Sequence, residues 1–346
     1  MVSKQWWNGP VKAEPNFENI LKIVRRERPD RPTLFEFFLN RSLHLRLNEI
    51  DDAMYSLDSS HIVKAFRNAG YDYAMLYGSD FDFPAGLRHS QSSESLNEGA
   101  VITDRASFED YQWPDPDKAD FSRLEQAAGA MTPGMKLISQ GPNGVLENVI
   151  RLVGFDTLCF LLVDDPELIK EIFDAVGSRL VRYYQLLLQH DCVGAIIGND
   201  DWGFKTMTML SPDDMRRHVV PWHAKIVAAA HAAGKPAIMH SCGNLTTVMD
   251  DIIDDIGYDA KHSYEDTILP VEEAYEQYGG RIAIMGGLDV DFMVRSEPEA
   301  IYRRAKSMLE RSADRGGYAL GTGNSVPEYV PQEHYFAMIS AAIEGR

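Results

Sequence analysis

Cationic residues, cysteines and long apolar runs are all scarce in this chain, and each scarcity removes a class of function. Lysine and arginine total 34 against 52 aspartates and glutamates, for a formal net charge of −18. So acidic a surface repels nucleic-acid phosphates and anionic lipid, and no run of basic residues makes a local exception. The only cysteines are Cys159, Cys192 and Cys242. Three thiols do not make a disulfide framework, and they suit a reducing compartment. No apolar stretch is long enough to span a bilayer, and the opening MVSKQWWNGP lacks the continuous apolar segment of a secretory signal. The expected location is the cytoplasm. No glycine-rich loop of the GxGxxG or GxxxxGK[ST] type follows a candidate strand, which argues against nucleotide binding.

What the chain does contain is an ordinary globular composition, 346 residues of which 45% are hydrophobic. Short β-branched or aromatic runs alternate with long amphipathic stretches. Eight candidate strands fall near residues 33–38, 73–77, 136–140, 194–198, 237–241, 259–263, 281–286 and 318–321. Helix-start signals lie between them: Asp165-Pro166-Glu167, Ser211-Pro212-Asp213-Asp214, and a capping box of Ser296 with Glu299. From Leu168 to Leu188 apolar residues recur at helical spacing, predicting one buried face of a long helix. Gly70 and Gly257 are suited to left-handed helix ends just before the second and sixth strands. Strict alternation means a parallel sheet, and eight units predict a (β/α)₈ TIM barrel forming a single domain over 1–346. An N-terminal helical extension of about thirty residues is expected beneath the barrel. The loop-rich stretch 78–116 after the second strand is expected to act as a lid.

In such barrels the carboxyl ends of the strands carry the chemistry. Those ends present Glu36, Asp80, Gln140 with Asn143, Asn199-Asp200-Asp201, His240 with Cys242, His262 with Glu265 and Asp266, Asp289, and Thr322 with Asn324. His240-Ser241-Cys242-Gly243 is the sharpest motif. Residues two apart on a strand point the same way, so an imidazole and a thiol converge, and both are good zinc ligands. The bland alternative is a buried thiol beside a hydrogen-bonded histidine. A third ligand has to be a carboxylate or imidazole, with Asp201, Glu147, His262 and Glu265 as candidates. Asp200 and Asp201 point in opposite directions, so one at most faces the site, as a metal ligand or general base. His262 stands beside His240 in barrel order and is expected to take part in the site.

The segments GNDDWGFKTMTMLSP, PAIMHSCGNL, RIAIMGGLDVDFM and GGYALGTGNSVPEYVPQEHY resemble the uroporphyrinogen decarboxylase superfamily, which includes zinc-dependent methylcobalamin:coenzyme M methyltransferases. The resemblance extends over nearly the whole chain and itself implies the (β/α)₈ barrel. Against the decarboxylases, the arginine-bearing stretch matches 32–41, with Phe37 at the first arginine position and Arg41 at the second. Their catalytic aspartate falls on Asp80, their tyrosine near Asn148 and their late histidine on Thr322. An acidic rim of Asp80, Asp82, Asp200, Asp201, Glu265, Asp266 and Asp289 argues against a polycarboxylate porphyrinogen. Against the methyltransferases, the His-x-Cys zinc pair matches His240 and Cys242, and a later cysteine aligns with Thr322.

The resemblance implies a zinc-dependent methyltransferase that takes a methylcorrinoid, with a corrinoid protein as a partner, and a small thiol or methoxylated substrate. The metal set is expected among His240, Cys242, Asp201 and Glu147. Asp80, His262 and Asp200 are expected to be catalytic, and Glu36, Arg41, Asn148, Asn199, Thr322 and Asn324 to bind substrate. The alternatives are a decarboxylase centred on Asp80 and a non-catalytic tetrapyrrole-binding protein.

Overall fold

Seven parallel strands pair in sequential order: β1 Tyr73–Tyr77, β2 Lys136–Gln140, β3 Val193–Asn199, β4 Ala237–His240, β5 Ala260–His262, β6 Ala283–Met285 and β7 Tyr318–Ala319. They belong to a computed structural model that describes residues 5–12, 14–86 and 95–344. Each strand is short and almost wholly buried, as parallel strands covered by crossover helices must be. The helix Pro166–Leu187 shows how the cover is built. Asp165 caps it by accepting from the Leu168 N–H, Pro166 opens its first turn, and Leu168, Ile172, Phe173, Val176, Leu180, Tyr184 and Leu187 form its buried face. Gly70 and Gly257 end their helices at φ 92° and 82°, the left-handed conformation expected of them.

The period of two along each strand decides what reaches the lumen of the curled sheet. Ser139 faces outward, where a Cβ built on Gly78 would meet both its hydroxyl and Tyr183 of the outer helix. Gly198 also faces outward, against Tyr258, which is bonded to His223 of the helix Val220–Ala232. Gln140, Ile197 and Asn199 therefore face inward. The ladders then place Asn199, His240 and His262 side by side on three neighbouring strands.

Three expectations change. The segment 33–38 is not an eighth strand of this sheet. Leu34 bridges Leu320 through bonds of 2.8 Å from Phe35 N–H to Leu320 O and from Leu320 N–H to Thr33 O. Toward β1, however, the Tyr73 hydroxyl engages both backbone groups of Glu36, each at 2.6 Å, so a side chain stands where a ladder bond would form. The Ser296–Glu299 capping box is absent. Ser296 ends the helix Val290–Arg295, and the next helix begins at Pro298, whose missing N–H suits a first helical position. In the N-terminal stretch only Glu18–Val24 is helical among the described residues. The ring of Phe17, just before it, packs at the start of β3, where a Cβ on Gly194 would lie 2.6 Å away. Residues 87–94 of the expected lid lie outside the described residues. Among the described residues, no helix is long and apolar enough to cross a membrane.

Candidate metal centre

At the carboxyl ends of β3 and β4 three different donor atoms converge. One carboxylate oxygen of Asp201, a ring nitrogen of His240 and the sulfur of Cys242 all lie within 4.8 Å of one another. His240 is the last residue of β4 and faces the lumen; Cys242, two residues on, leaves the same face, and its Sγ is 3.8 Å from His240 Nε2. Asp201 arrives from the loop after β3 and accepts the Cys242 N–H at 2.8 Å. That loop is tied to the loop after β4 by bonds from Trp202 N–H to Ser241 Oγ, at 3.1 Å, and from Asn244 N–H to Phe204 O, at 2.8 Å. Gly243 is needed for the approach: its φ is +86°, and a Cβ there would sit 2.1 Å from the Gly203 carbonyl oxygen.

The surroundings hold these groups and set their charge. Phe37 stacks on the His240 ring with centroids 4.0 Å apart and planes at 20°. Asn324 donates from Nδ2 to Cys242 Sγ at 3.2 Å, and Ser263 Oγ lies 3.7 Å from the same sulfur. Burial, reinforced by the neighbouring His262 and Lys261, keeps His240 well below the usual histidine range. Burial also lowers His262 to about 3. Both rings are neutral at physiological pH. Burial, with Asp201 adding repulsion, raises the Cys242 thiol. Burial likewise raises Asp201, against the bonds it receives from Cys242. In the absence of a cation the site thus favours neutral groups; a bound cation inverts that preference.

Of the consecutive acids, Asp200 turns away from the cluster and is fully buried. Its oxygens accept from the N–H groups of Leu146 and Glu147, from Trp202 Nε1 and from His223 Nε2, each at 2.9 Å. It therefore pins the start of the helix Val145–Val153, away from the three converging donors. Glu147 stays outside the three-donor cluster; it accepts from Asn199 Nδ2 at 3.3 Å. Burial, with Asp200 and Asp201 nearby, lifts its carboxyl well above the usual range. His262 is fully buried with both ring nitrogens engaged, Nδ1 at 2.8 Å from His240 Nδ1 and Nε2 at 3.1 Å from Thr322 O. It reaches the centre only through His240.

Thr322 and Glu36 form a buried pair. The Thr322 hydroxyl and N–H donate to the Glu36 carboxyl oxygens at 2.7 and 3.2 Å, and burial pushes that carboxyl up to about 8. Asn148 is buried and donates to the carbonyls of Pro142 and Gly144, so it shapes the loop after β2. Arg41 donates to the carbonyls of Ala53 and Tyr55, and exposed Asp80 accepts the Asp120 N–H at 2.9 Å; neither belongs to the cluster. The acidic rim is largely engaged too. Asp82 pairs with Arg151, Asp266 with Arg304, and Asp289 caps the helix that follows it. The charge argument against a polyanionic substrate is correspondingly weaker than the residue types suggest.

Two contributors escape sequence reasoning. Phe37, which aligns with the first arginine of the decarboxylases, has no part assigned to it until its ring is seen on His240. Lys261 faces away from the lumen, buried, with its ammonium donating to Ser263 O at 2.6 Å, and burial brings it down to about 8. A lysine inside a three-residue buried strand is the one signal that singles it out.

Comparison with known proteins agrees with this architecture. A methylated-thiol–coenzyme M methyltransferase from Methanosarcina mazei is 24% identical over 182 residues, which are 51% of this chain and 46% of that protein. Uroporphyrinogen decarboxylases are similar at the same level: 24% over 187 residues for Methylococcus capsulatus, covering 53% of this chain and 51% of the relative, and 28% over 171 residues for Geobacillus kaustophilus, covering 48% and 46%. The matches thus span about half the length of these curated relatives. Among solved structures, a methyltransferase from Methanosarcina mazei superposes with a TM-score of 0.69 at 15% identity, covering 96% of this chain and 99% of that one, which shows a shared fold. The family model for uroporphyrinogen decarboxylase (URO-D) matches residues 138–345, a span that holds all three converging donors, and the chain belongs to that family.

Proposed function

We propose that this chain is a zinc-dependent methyltransferase. It moves a methyl group between a methylcorrinoid, carried by a corrinoid protein, and a small thiol or methoxylated substrate. The convergence of Asp201, His240 and Cys242 carries this reading. One oxygen, one nitrogen and one sulfur donor at a half-buried strand end match the three-ligand sets of catalytic zinc, in which a further position stays open for substrate. The donor set therefore fits the metal, with Asp201 as the third donor, whereas the later cysteine of the related methyltransferases aligns with Thr322. When bound, zinc acts as a Lewis acid that lowers the pKa of a substrate thiol.

The protein's own residues supply orientation and charge control. Phe37 fixes the plane of His240, and the Asn324 amide donates to the Cys242 sulfur, which favours its thiolate. A groove of about 790 Å³ runs between the loops after β5 and β6, with Tyr264, Phe292 and Tyr329 on its walls, and Asn324, which donates to Cys242 Sγ, is part of its lining. With a thiol acceptor, the S–CH₃ bond forms as the Co–CH₃ bond breaks; the bonding pair stays on cobalt, and the thiol proton leaves to solvent. A cysteine in the cluster supports this chemistry over decarboxylation, and one of the relatives is named as a methylated-thiol–coenzyme M methyltransferase. The chain acts as a single domain in the cytoplasm, consistent with its three free cysteines.

Metal analysis of the purified protein tests the reading. About one zinc per chain is expected, and transfer from methylcobalamin to a thiol should follow as a change in the cobalamin spectrum. Protein that holds no stoichiometric zinc after reconstitution defeats it. If instead Asp80→Asn abolishes turnover while Cys242→Ala is nearly silent, the activity is that of a carboxy-lyase.

A further inference from the structure

We propose that His262 is a positioning residue that fixes which nitrogen of His240 faces the metal centre, and that the backbone carbonyl of Thr322 dictates the choice. The consequence for metal binding rests on the zinc reading above. The proton arrangement itself follows from hydrogen-bond geometry.

The chain of constraint begins at Thr322 O. A carbonyl has no hydrogen to give, so His262 Nε2, 3.1 Å away, carries the proton and donates it. A neutral imidazole has one N–H, which leaves a bare lone pair on His262 Nδ1. That atom lies 2.8 Å from His240 Nδ1, so His240 Nδ1 must be the donor of this pair. His240 Nε2 is then left with its lone pair, on the side where Cys242 Sγ stands 3.8 Å away. Any other assignment sets two lone pairs, or two N–H groups, against each other in a buried site.

Each link is held from outside. Thr322 O also accepts the Gly287 N–H at 2.8 Å, so both of its lone pairs are used and its direction is set. The Thr322 N–H and hydroxyl are anchored on Glu36 at 3.2 and 2.7 Å. Gly286 leaves the space the relay needs: a Cβ there would lie 2.3 Å from Thr322 O and 2.9 Å from the His262 ring. Phe37 on the His240 face prevents that ring from turning. A histidine that ligates a metal through one nitrogen while the other donates to a fixed acceptor is a better ligand, because its orientation is set in advance and its basicity raised.

Selective ¹⁵N-histidine labelling of the metal-free protein reads the arrangement directly. Long-range ¹H–¹⁵N correlation is expected to show His240 protonated at Nδ1 and His262 at Nε2; a proton on His240 Nε2 overturns the proposal. Zinc affinity, measured by competition with a chromophoric chelator, gives the second reading. His262→Phe should weaken zinc about 10–100-fold. His262→Gln, whose carbonyl can accept the His240 proton, should recover most of that loss. If the wild-type chain binds zinc and His262→Phe binds it equally well, the positioning role is wrong. If the wild-type chain binds no zinc, the functional reading fails, while the labelled spectrum still decides the proton arrangement.

Discussion

The sector of the sheet formed by β3, β4 and β5 and the sector around β1 both present polar residues at the carboxyl edge, yet among the described residues only the first makes a constellation. Asn199, His240 and His262 stand at matched positions on paired strands, so the ladder hydrogen bonds themselves bring them together. Asp201 and Cys242 follow within two residues of those strand ends and are tied to each other. Around β1, Asp80 lies three residues past the strand and is exposed, Asp82 is paired with Arg151, and Arg41 sits on a helix and reaches loop carbonyls. A ladder fixes height and direction for the residues it pairs and for one or two beyond. Farther out, each polar group finds its own partner.

The contrast can be broken most severely at Cys242. Cys242→Ala should lower zinc affinity by at least about a hundredfold, read by chelator competition, with an unchanged far-ultraviolet circular dichroism spectrum. Next comes the pair of adjacent acids. Asp200→Asn should cost about 3–5 kcal/mol in chemical denaturation, because it removes the charge on which four donors converge. Asp201→Asn should change stability by less than about 1 kcal/mol but weaken zinc about tenfold or more. A reversal of these two outcomes would exchange the roles assigned to them.

Glu36 sharpens the comparison through pH. Its carboxyl is raised from an ordinary 4.5 to about 8 by burial. The native chain keeps this proton while the unfolded chain loses it, so the group's contribution is full below about 4.5 and is lost as pH rises through about 8. Glu36→Gln should abolish that slope and, relative to wild type, gain on the order of 5 kcal/mol between pH 4 and pH 9, measured by urea denaturation at each pH. The smallest effects belong to the β1 sector. Asp80→Asn and Arg41→Met should each stay within about 0.5 kcal/mol and leave zinc affinity untouched; a loss of zinc in either would erase the distinction between the sectors.

Much of the centre was legible before any coordinates. The pair His240 and Cys242 follows from two-residue spacing on a strand, a local property that needs no partner. The alternation argument also required one of Asp200 and Asp201 to face away, but it did not say which. The answer comes from distant groups: Trp202, His223 and the start of the helix Val145–Val153 surround Asp200. Glu147 was a reasonable ligand by position, yet its helix carries it toward Asn199 and out of the cluster. Strand order alone sets His262 beside His240, but the partners of its two ring nitrogens come from the tertiary structure.

The residue order alone determined the strand segments, the outer helix with its caps, and which side chains share a face, because strand and helix periods are set within a few residues. It also carried the family's motifs. The tertiary structure decided that the segment 33–38 meets Tyr73 through a side chain instead of a ladder, which acid joins His240 and Cys242, and that His262 Nε2 meets the carbonyl of Thr322. Those outcomes depend on the relative stagger of strands far apart in sequence, and stagger is settled only when the whole sheet curls and its helices close around it.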